Sequence, residues 1–133
     1  MLLYRPFEHH LNIGLSKHGL YRAEWTILHY LANNESATLV ELAQYQRVEK
    51  PTMTRIVRSL EESGFIEHIP GKDRREKPMK LTDLGKKVYA EVRVTVDRFE
   101  QEILQGISEE QQQETIRVMK EIRNNLISKE SNK

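Results

Sequence analysis

Cysteine is absent from this sequence. A disulfide scaffold, a thiolate zinc site and a thiol redox switch are therefore excluded. No stretch approaches the ~20 consecutive apolar residues that a membrane-spanning helix needs. The opening residues, MLLYRPFEHH, contain no basic lead, no long apolar block and no small-residue cleavage site. We therefore expect a soluble, cytoplasmic protein that contacts no membrane.

Catalytic motifs are also missing. The sequence contains no Gly-x-Ser-x-Gly nucleophile elbow, no phosphate-binding loop and no metalloprotease motif. Its histidines form no His-x-x-x-His pair and adjoin no carboxylate cluster, which favours ordinary partly exposed side chains over the alternative of a regulatory metal site. They are His9, His10, His18, His29 and His68. We expect neither an enzyme nor a cofactor or bound metal.

Charge is nearly balanced overall but uneven along the chain. The 133 residues, a length that suits one domain, include 21 Lys and Arg against 20 Asp and Glu, a net charge of +1. The segment Gly71–Lys87 contains seven basic and three acidic residues, whereas Val88–Lys133 contains seven basic and nine acidic. A polyanion is therefore attracted to the middle of the chain.

Apolar residues recur every three or four positions through most of the chain, which predicts amphipathic helices. The predicted long helices span Leu2–Lys17, Tyr21–Asn33, Lys50–Ser63, Thr82–Gln105 and Ser108 to about Leu126. A short helix ending near Gln46 begins at Thr38-Leu39-Val40-Glu41, which has the form of a capping box. Pro51 suits the first turn of the helix after it, and Gly64 suits that helix's left-handed end.

Two short extended segments follow the fourth predicted helix. Phe65–Ile69 alternates in polarity and ends at Pro70-Gly71, and Pro78–Leu81 can return beside it as a second strand. The loop between them, Lys72–Lys77, is strongly basic. The predicted fold is mainly α with a small β-hairpin wing, a winged helix-turn-helix.

The third and fourth predicted helices and their tight connection form the helix-turn-helix unit, whose second helix enters the DNA major groove. That helix buries an apolar stripe and leaves polar residues outside, namely Lys50, Thr52, Thr54, Arg55 and, as a weaker candidate, Arg58. Such side chains bond base edges and phosphates, and arginine can bind guanine through two hydrogen bonds. Arginines of the basic hairpin can enter the narrow minor groove.

Two segments resemble the MarR-type winged helix regulators, and the likeness extends over nearly the whole chain. Residues 50–57, KPTMTRIV, with Leu60-Glu61 and Gly64-Phe65-Ile66, are similar to the family's recognition helix and the strand that follows. Asp73-Arg74-Arg75, followed by Leu81-Thr82 and Gly85, is similar to the family's wing signature. A weaker likeness lies at Gly19-Leu20-Tyr21 with Trp25 and Leu28.

The resemblance implies roles at the DNA. Arg75 is the wing residue that enters the minor groove, and Asp73 orients it. The expected DNA-binding residues are Thr38, Lys50, Thr52, Thr54, Arg55, Arg58, Asp73, Arg74, Arg75 and Lys77. The expected function is sequence-specific regulation of transcription, with repression as the family's commoner behaviour and release by a small molecule or another effector.

The resemblance also implies a homodimer. Residues 1–20 and 84–133 would form dimerisation helices around a DNA-binding lobe at 21–83, all within one MarR-like domain. A fifth helix of roughly 34 Å agrees with this, because it is too long for a compact globule of this size. Two lobes would read a pseudo-palindromic operator with half-sites about one helical turn apart.

Two alternatives accompany these expectations. His18, Tyr21, Trp25 and His29 form a candidate effector pocket between the dimer helices and the DNA-binding lobe, although Tyr21 and Trp25 are also typical core residues. The fold can also serve as a protein-docking or RNA-binding module that does not read duplex DNA. The Arg-bearing outward face of the fourth helix disfavours docking, which uses aromatic or aliphatic anchors.

Overall fold

The structure, a computed structural model, describes residues 4–72 and 77–131. Its elements are α1 (Tyr4–Ser16), α2 (Arg22–Asn33), α3 (Leu39–Gln46), α4 (Lys50–Glu62), β1 (Ile66–His68), β2 (Met79–Leu81), α5 (Asp83–Ile103) and α6 (Glu109–Ser131). They fall into two compact units, Met1–Phe99 and Glu100–Lys133. The mainly α fold with a small hairpin is confirmed. None of the helices in the described ranges is long and apolar enough to span a membrane.

The hydrophobic core of the first unit collects the apolar stripes of α1 to α5 and the inward residues of the hairpin. Burial of these side chains is the main force that holds the helices together. The stripe predicted for α4 is buried at Met53, Val57 and Leu60, and half-buried at Ile56. The other buried apolar residues are Leu11, Leu15, Leu20, Trp25, Ile27, Leu28, Leu31, Ala37, Leu42, Ala43, Ile66, Met79, Leu81, Val92 and Val96.

The hairpin is shorter than the sequence predicts. β1 and β2 are antiparallel, with Ile66 opposite Leu81 and His68 opposite Met79, so each strand has three residues rather than the five and four expected. Beyond the strands, the Ile69 N–H still donates to the Pro78 carbonyl over 2.8 Å. Ala37, just before α3, exchanges two backbone hydrogen bonds with Met79 and so adds a bridge to the far side of β2.

A close backbone contact joins the end of α4 to the start of α5. The Thr82 hydroxyl donates to the Gly64 carbonyl over 2.6 Å and accepts from the Gly85 N–H over 3.0 Å, while the Thr82 N–H donates to the Phe65 carbonyl. A Cβ atom added to Gly85 would lie 2.0 Å from the Phe65 carbonyl oxygen. Gly85 therefore permits the approach that fixes where the hairpin begins.

In the second unit, α6 begins with a capping box in which Ser108 and Gln111 bond each other's backbone N–H groups. Arg117 pairs with Glu114 and Glu121 on the helix surface, and its hydrogen bond lowers the pKa of Glu114. An apolar seam formed by Ile116, Met119, Ile122 and Leu126 is exposed along the helix, with Met119 63% exposed.

Replacing Gly85 with alanine should lower the free energy of unfolding by about 2–3 kcal/mol, because the new methyl group forces the Phe65 backbone away from α5. Urea denaturation followed by circular dichroism measures this change. Gly14→Ala is the matched control, since its Cβ would meet only the Thr95 methyl group at 3.4 Å in a helix interior. A Gly85→Ala protein with the parent's midpoint would contradict the close contact.

Candidate nucleic-acid interface

The helix-turn-helix is built from local hydrogen bonds at both ends of α3. The Thr38 hydroxyl accepts from the Glu41 N–H, and a Glu41 carboxylate oxygen accepts from the Thr38 N–H, both over 3.2 Å, so the predicted capping box is present. At the other end, the Val48 N–H donates to the Ala43 carbonyl over 3.0 Å. Pro51 lies in the first turn of α4, as predicted.

The buried stripe of α4 decides which of its side chains are available. Lys50, Arg55 and Arg58 are exposed, and Thr52 and Thr54 are half-buried beside them. The Thr54 hydroxyl donates to the Lys50 carbonyl over 2.9 Å, so its oxygen is left as an acceptor for an incoming donor. These five residues were predicted from the sequence, and all keep polar atoms at or near the surface.

The predicted residues lie on two sides of α4. A cleft of about 700 Å³ between α3, α4 and the hairpin is lined by Thr38, Lys50, Thr54, Arg58 and Lys77, together with acidic Glu41 and Glu61. Thr52 and Arg55 line a shallower pocket on the other side, next to Tyr21, Glu24 and Ser59. α4 therefore presents cationic side chains along both of its edges.

The predicted wing residues fall only partly within the described ranges. Asp73, Arg74 and Arg75 lie outside the described residues, as does Glu76. Lys77 is exposed at the base of the hairpin, and Lys80 in β2 pairs with Glu67 in β1 over 3.7 Å.

His68 in β1 makes a contact that the sequence does not predict. Its Nε2 lies 3.0 Å from a Glu61 carboxylate oxygen on α4, and its Nδ1 lies 3.4 Å from the Lys77 carbonyl oxygen. The imidazole thus links the helix to both sides of the hairpin. No periodicity in the sequence signals this contact, because the two residues meet only after the chain reverses at Gly64.

Glu24 in α2 is a second such residue. It is 7% exposed, and its two carboxylate oxygens accept from the Tyr21 N–H over 3.1 Å and from the Ser59 hydroxyl on α4 over 2.8 Å. Nearby, the Gln46 side-chain amide donates to the Ala23 carbonyl over 2.9 Å. The start of α2 therefore holds both α3 and α4. The position of Glu24, three residues after the cap of a helix, is the one signal of this role in the sequence.

The four residues of the candidate effector pocket have different surroundings. Trp25, 8% exposed, stacks on Tyr89 of α5 with ring centroids 5.1 Å apart, and His29 Nδ1 lies 2.9 Å from the Tyr89 hydroxyl. His18 Nε2 lies 2.9 Å from the Thr95 hydroxyl. Tyr21 is 76% exposed beside α4. No cluster of three or more metal-ligating side chains occurs in the ranges that the structure describes.

Comparison with known proteins decides the family. A family model described as "MarR family" matches residues 18–76. The chain is 37% identical over 99 residues to the uncharacterized HTH-type transcriptional regulator YwoH of Bacillus subtilis, covering 74% of this chain and 72% of that protein. The chain belongs to the MarR family.

Two solved structures extend the MarR comparison to nearly the whole chain. Staphylococcus aureus MarR in complex with salicylate and kanamycin has a TM-score of 0.85 and 32% identity, covering 96% of this chain and 87% of that one. The S. aureus MepR–DNA complex has a TM-score of 0.83 at 19% identity, which shows a shared fold, covering 94% and 91%. The winged helix-turn-helix interpretation is confirmed, and the protein is a MarR-family transcriptional regulator rather than an enzyme.

Removing the hydroxyl of Ser59 should destabilise this MarR protein by about 0.5–1.5 kcal/mol, because the Glu24 side chain would lose one of its two hydrogen bonds. Guanidinium denaturation of Ser59→Ala measures the effect. Ser63→Ala, at the exposed end of the same helix, is the control and should change stability by less than about 0.5 kcal/mol. Equal midpoints for the two variants would show that the Glu24 contact contributes nothing.

Proposed function

We propose that this MarR-family regulator binds duplex DNA sequence-specifically as a homodimer and represses transcription until an effector releases it. The observation that carries the proposal is the exposed Lys50, Arg55 and Arg58 on a helix whose opposite face is buried. A helix in this position of a helix-turn-helix fits the major groove, about 12 Å wide. MepR, which has the same fold, is bound to DNA in its solved structure.

The proposed DNA-binding residues differ in the part of the DNA that each would contact. Arg55 and Arg58 are the candidates for base edges, since guanidinium can bond guanine at two positions, and Thr52 and Thr54 can accept or donate beside them. Thr38, Lys50 and Lys77 border the cleft and are candidates for backbone phosphates. In the wing, Arg75 enters the minor groove with Asp73 orienting it, and Arg74 adds phosphate attraction.

Dimerisation is supported by the exposed apolar seam of α6. Ile116, Met119, Ile122 and Leu126 recur at steps of three and four, so they share one helix face. An apolar stripe of this kind is buried when a second copy covers it. We propose that residues 1–20 and 84–133 form the dimerisation helices and that 21–83 is the DNA-binding lobe. Two lobes would read a pseudo-palindromic operator.

A small-molecule effector is in keeping with the comparisons, because the S. aureus MarR relative was solved in complex with salicylate and kanamycin. We propose that the region of His18, Tyr21, Trp25 and His29 transmits or receives that signal, since Trp25 and His29 contact α5 through Tyr89. Because duplex DNA is its proposed target, we propose that the protein acts in the cytoplasm.

Selection of bound sequences from a random duplex pool tests DNA recognition and two-fold symmetry together. We expect enrichment of an inverted repeat with half-sites about one helical turn apart. A hairpin RNA of equal length serves as competitor. Preferential binding of the RNA, or enrichment of no duplex sequence, would favour the RNA-binding or protein-docking alternative and end the proposal.

Truncating Arg75 should weaken operator binding roughly tenfold, because the minor groove concentrates the negative potential that attracts a guanidinium. Fluorescence anisotropy of Arg75→Ala at several salt concentrations measures this weakening, and the log–log salt slope should flatten by about 0.9 for each phosphate that the variant leaves unneutralised. Lys129→Ala, in the last turn of α6, controls for removal of one positive charge. Parental affinity in Arg75→Ala would remove this arginine from the interface.

A charge within the α6 seam should separate the protomers. Ile122→Glu places a carboxylate on the face that a second copy is proposed to cover, which costs several kcal/mol unless the charge is paired. Sedimentation equilibrium at micromolar concentration should show monomers for Ile122→Glu and dimers for Asn124→Glu, whose position lies about 200° around the same helix. A dimeric Ile122→Glu protein would locate the interface elsewhere.

A further inference from the structure

Arg47, in the turn of the helix-turn-helix, has an unusual backbone conformation. Its φ of 56° and ψ of 47° place it in the left-handed region, and in residues 4–72 and 77–131 no other non-glycine residue has a positive φ. The other positive values occur at Gly19, Gly64 and Gly106. A residue with a Cβ is strained in this region, whereas glycine is not.

The end of α3 explains why the backbone at position 47 is left-handed, but it does not explain why the residue there is an arginine. α3 ends with the Arg47 N–H donating to the Gln44 carbonyl over 3.2 Å and the Val48 N–H donating to the Ala43 carbonyl over 3.0 Å. This arrangement needs a left-handed residue after the helix, and glycine usually fills it. Glycine at position 47 would make the same backbone bonds without the strain, so an arginine here needs a reason outside the turn.

Contacts of the Arg47 side chain within the protein supply no such reason. The side chain is exposed, and it has no ion pair or side-chain hydrogen bond with any residue that the structure describes. Arg93 and Arg117 differ in this respect, since each pairs with a carboxylate on its own helix. The guanidinium of Arg47 is therefore available to a molecule that approaches from solvent.

The position of Arg47 indicates what that molecule is. Arg47 lines a shallow depression together with Gln44 of α3 and with Glu49 and Lys50 at the start of α4. The cations Arg47 and Lys50 stand on either side of Glu49, so the turn carries a net positive charge. When α4 lies in the major groove, the residues just before its first turn lie at the groove's edge, where the phosphates are.

We propose that the guanidinium of Arg47 binds a backbone phosphate at the edge of the major groove, and that this contact is the reason an arginine occupies a left-handed position. The proposal rests on the DNA-binding function proposed above. Arginine suits the role because its planar fork can bond two phosphate oxygens at once. Its contribution is to affinity and register rather than to base choice.

The test uses the opposite signs that the proposal requires for stability and for binding. Arg47→Gly relieves the strained backbone, so its Tm should rise by about 3 °C. The same variant should bind the selected operator roughly tenfold more weakly, with a log–log salt slope flatter by about 0.9 for the one phosphate that glycine cannot neutralise. Differential scanning fluorimetry and fluorescence anisotropy give the two measurements on the full-length protein.

Two further variants make the result decisive. Arg47→Lys keeps the charge and the strained turn, so it should retain most of the salt slope, and Arg98→Gln, an exposed arginine on α5, should leave the slope close to the parent's. If Arg47→Gly binds operator like the parent while gaining stability, the arginine is merely tolerated and the proposal is wrong, although the DNA-binding function stands. If the parent itself ignores duplex DNA at low salt, both proposals fail.

Discussion

Burial of one face of α4 is the constraint on which the candidate nucleic-acid interface depends. Met53, Val57 and Leu60 are buried, and their spacing fixes the rotation of the helix about its own axis. That rotation leaves Lys50, Arg55 and Arg58 in solvent. A cationic surface therefore arises from a hydrophobic requirement, since turning the helix by one residue would expose the core side chains and bury guanidinium groups, both of which are unfavourable.

Hydrogen bonds then hold the neighbours of α4 at fixed distances from it. Glu24 and Ser59 join α2 to the helix, and His68 and Glu61 join the hairpin to it. The Thr82 hydroxyl bonds the Gly64 carbonyl, and this contact sets where the hairpin returns. The approach is possible because Gly85 has no side chain. Among these contacts, Glu24 is the side chain that is itself buried, and both of its carboxylate oxygens accept hydrogen bonds.

Features governed by neighbours in the sequence could be predicted, and features governed by tertiary contact could not. The capping box at Thr38, Pro51 in the first turn of α4 and the left-handed Gly64 act within a few residues, so the sequence alone reveals them. The Glu24–Ser59 hydrogen bond joins residues 35 positions apart across a packed interface. The His68–Glu61 contact joins residues seven positions apart across a chain reversal. The predicted strand lengths were wrong for the same reason, since backbone hydrogen bonds at Phe65 and Ala37 set the ends of the hairpin.

Two features of the isolated chain are unfavourable by themselves, and both lie where a partner is proposed. Arg47 holds a strained backbone without a partner for its guanidinium in the ranges that the structure describes, and α6 exposes an apolar seam to water. No contact within residues 4–72 and 77–131 offsets either cost. Each cost would be offset by a different partner. A phosphate can bond the guanidinium of Arg47 but cannot bury a seam of Ile, Met and Leu. A second copy of α6 can bury the seam but offers no phosphate to the guanidinium. The chemistry of each feature therefore suits a different partner. Under the two proposals, binding of these partners would be linked, because a dimer would double the phosphate contacts made on one duplex.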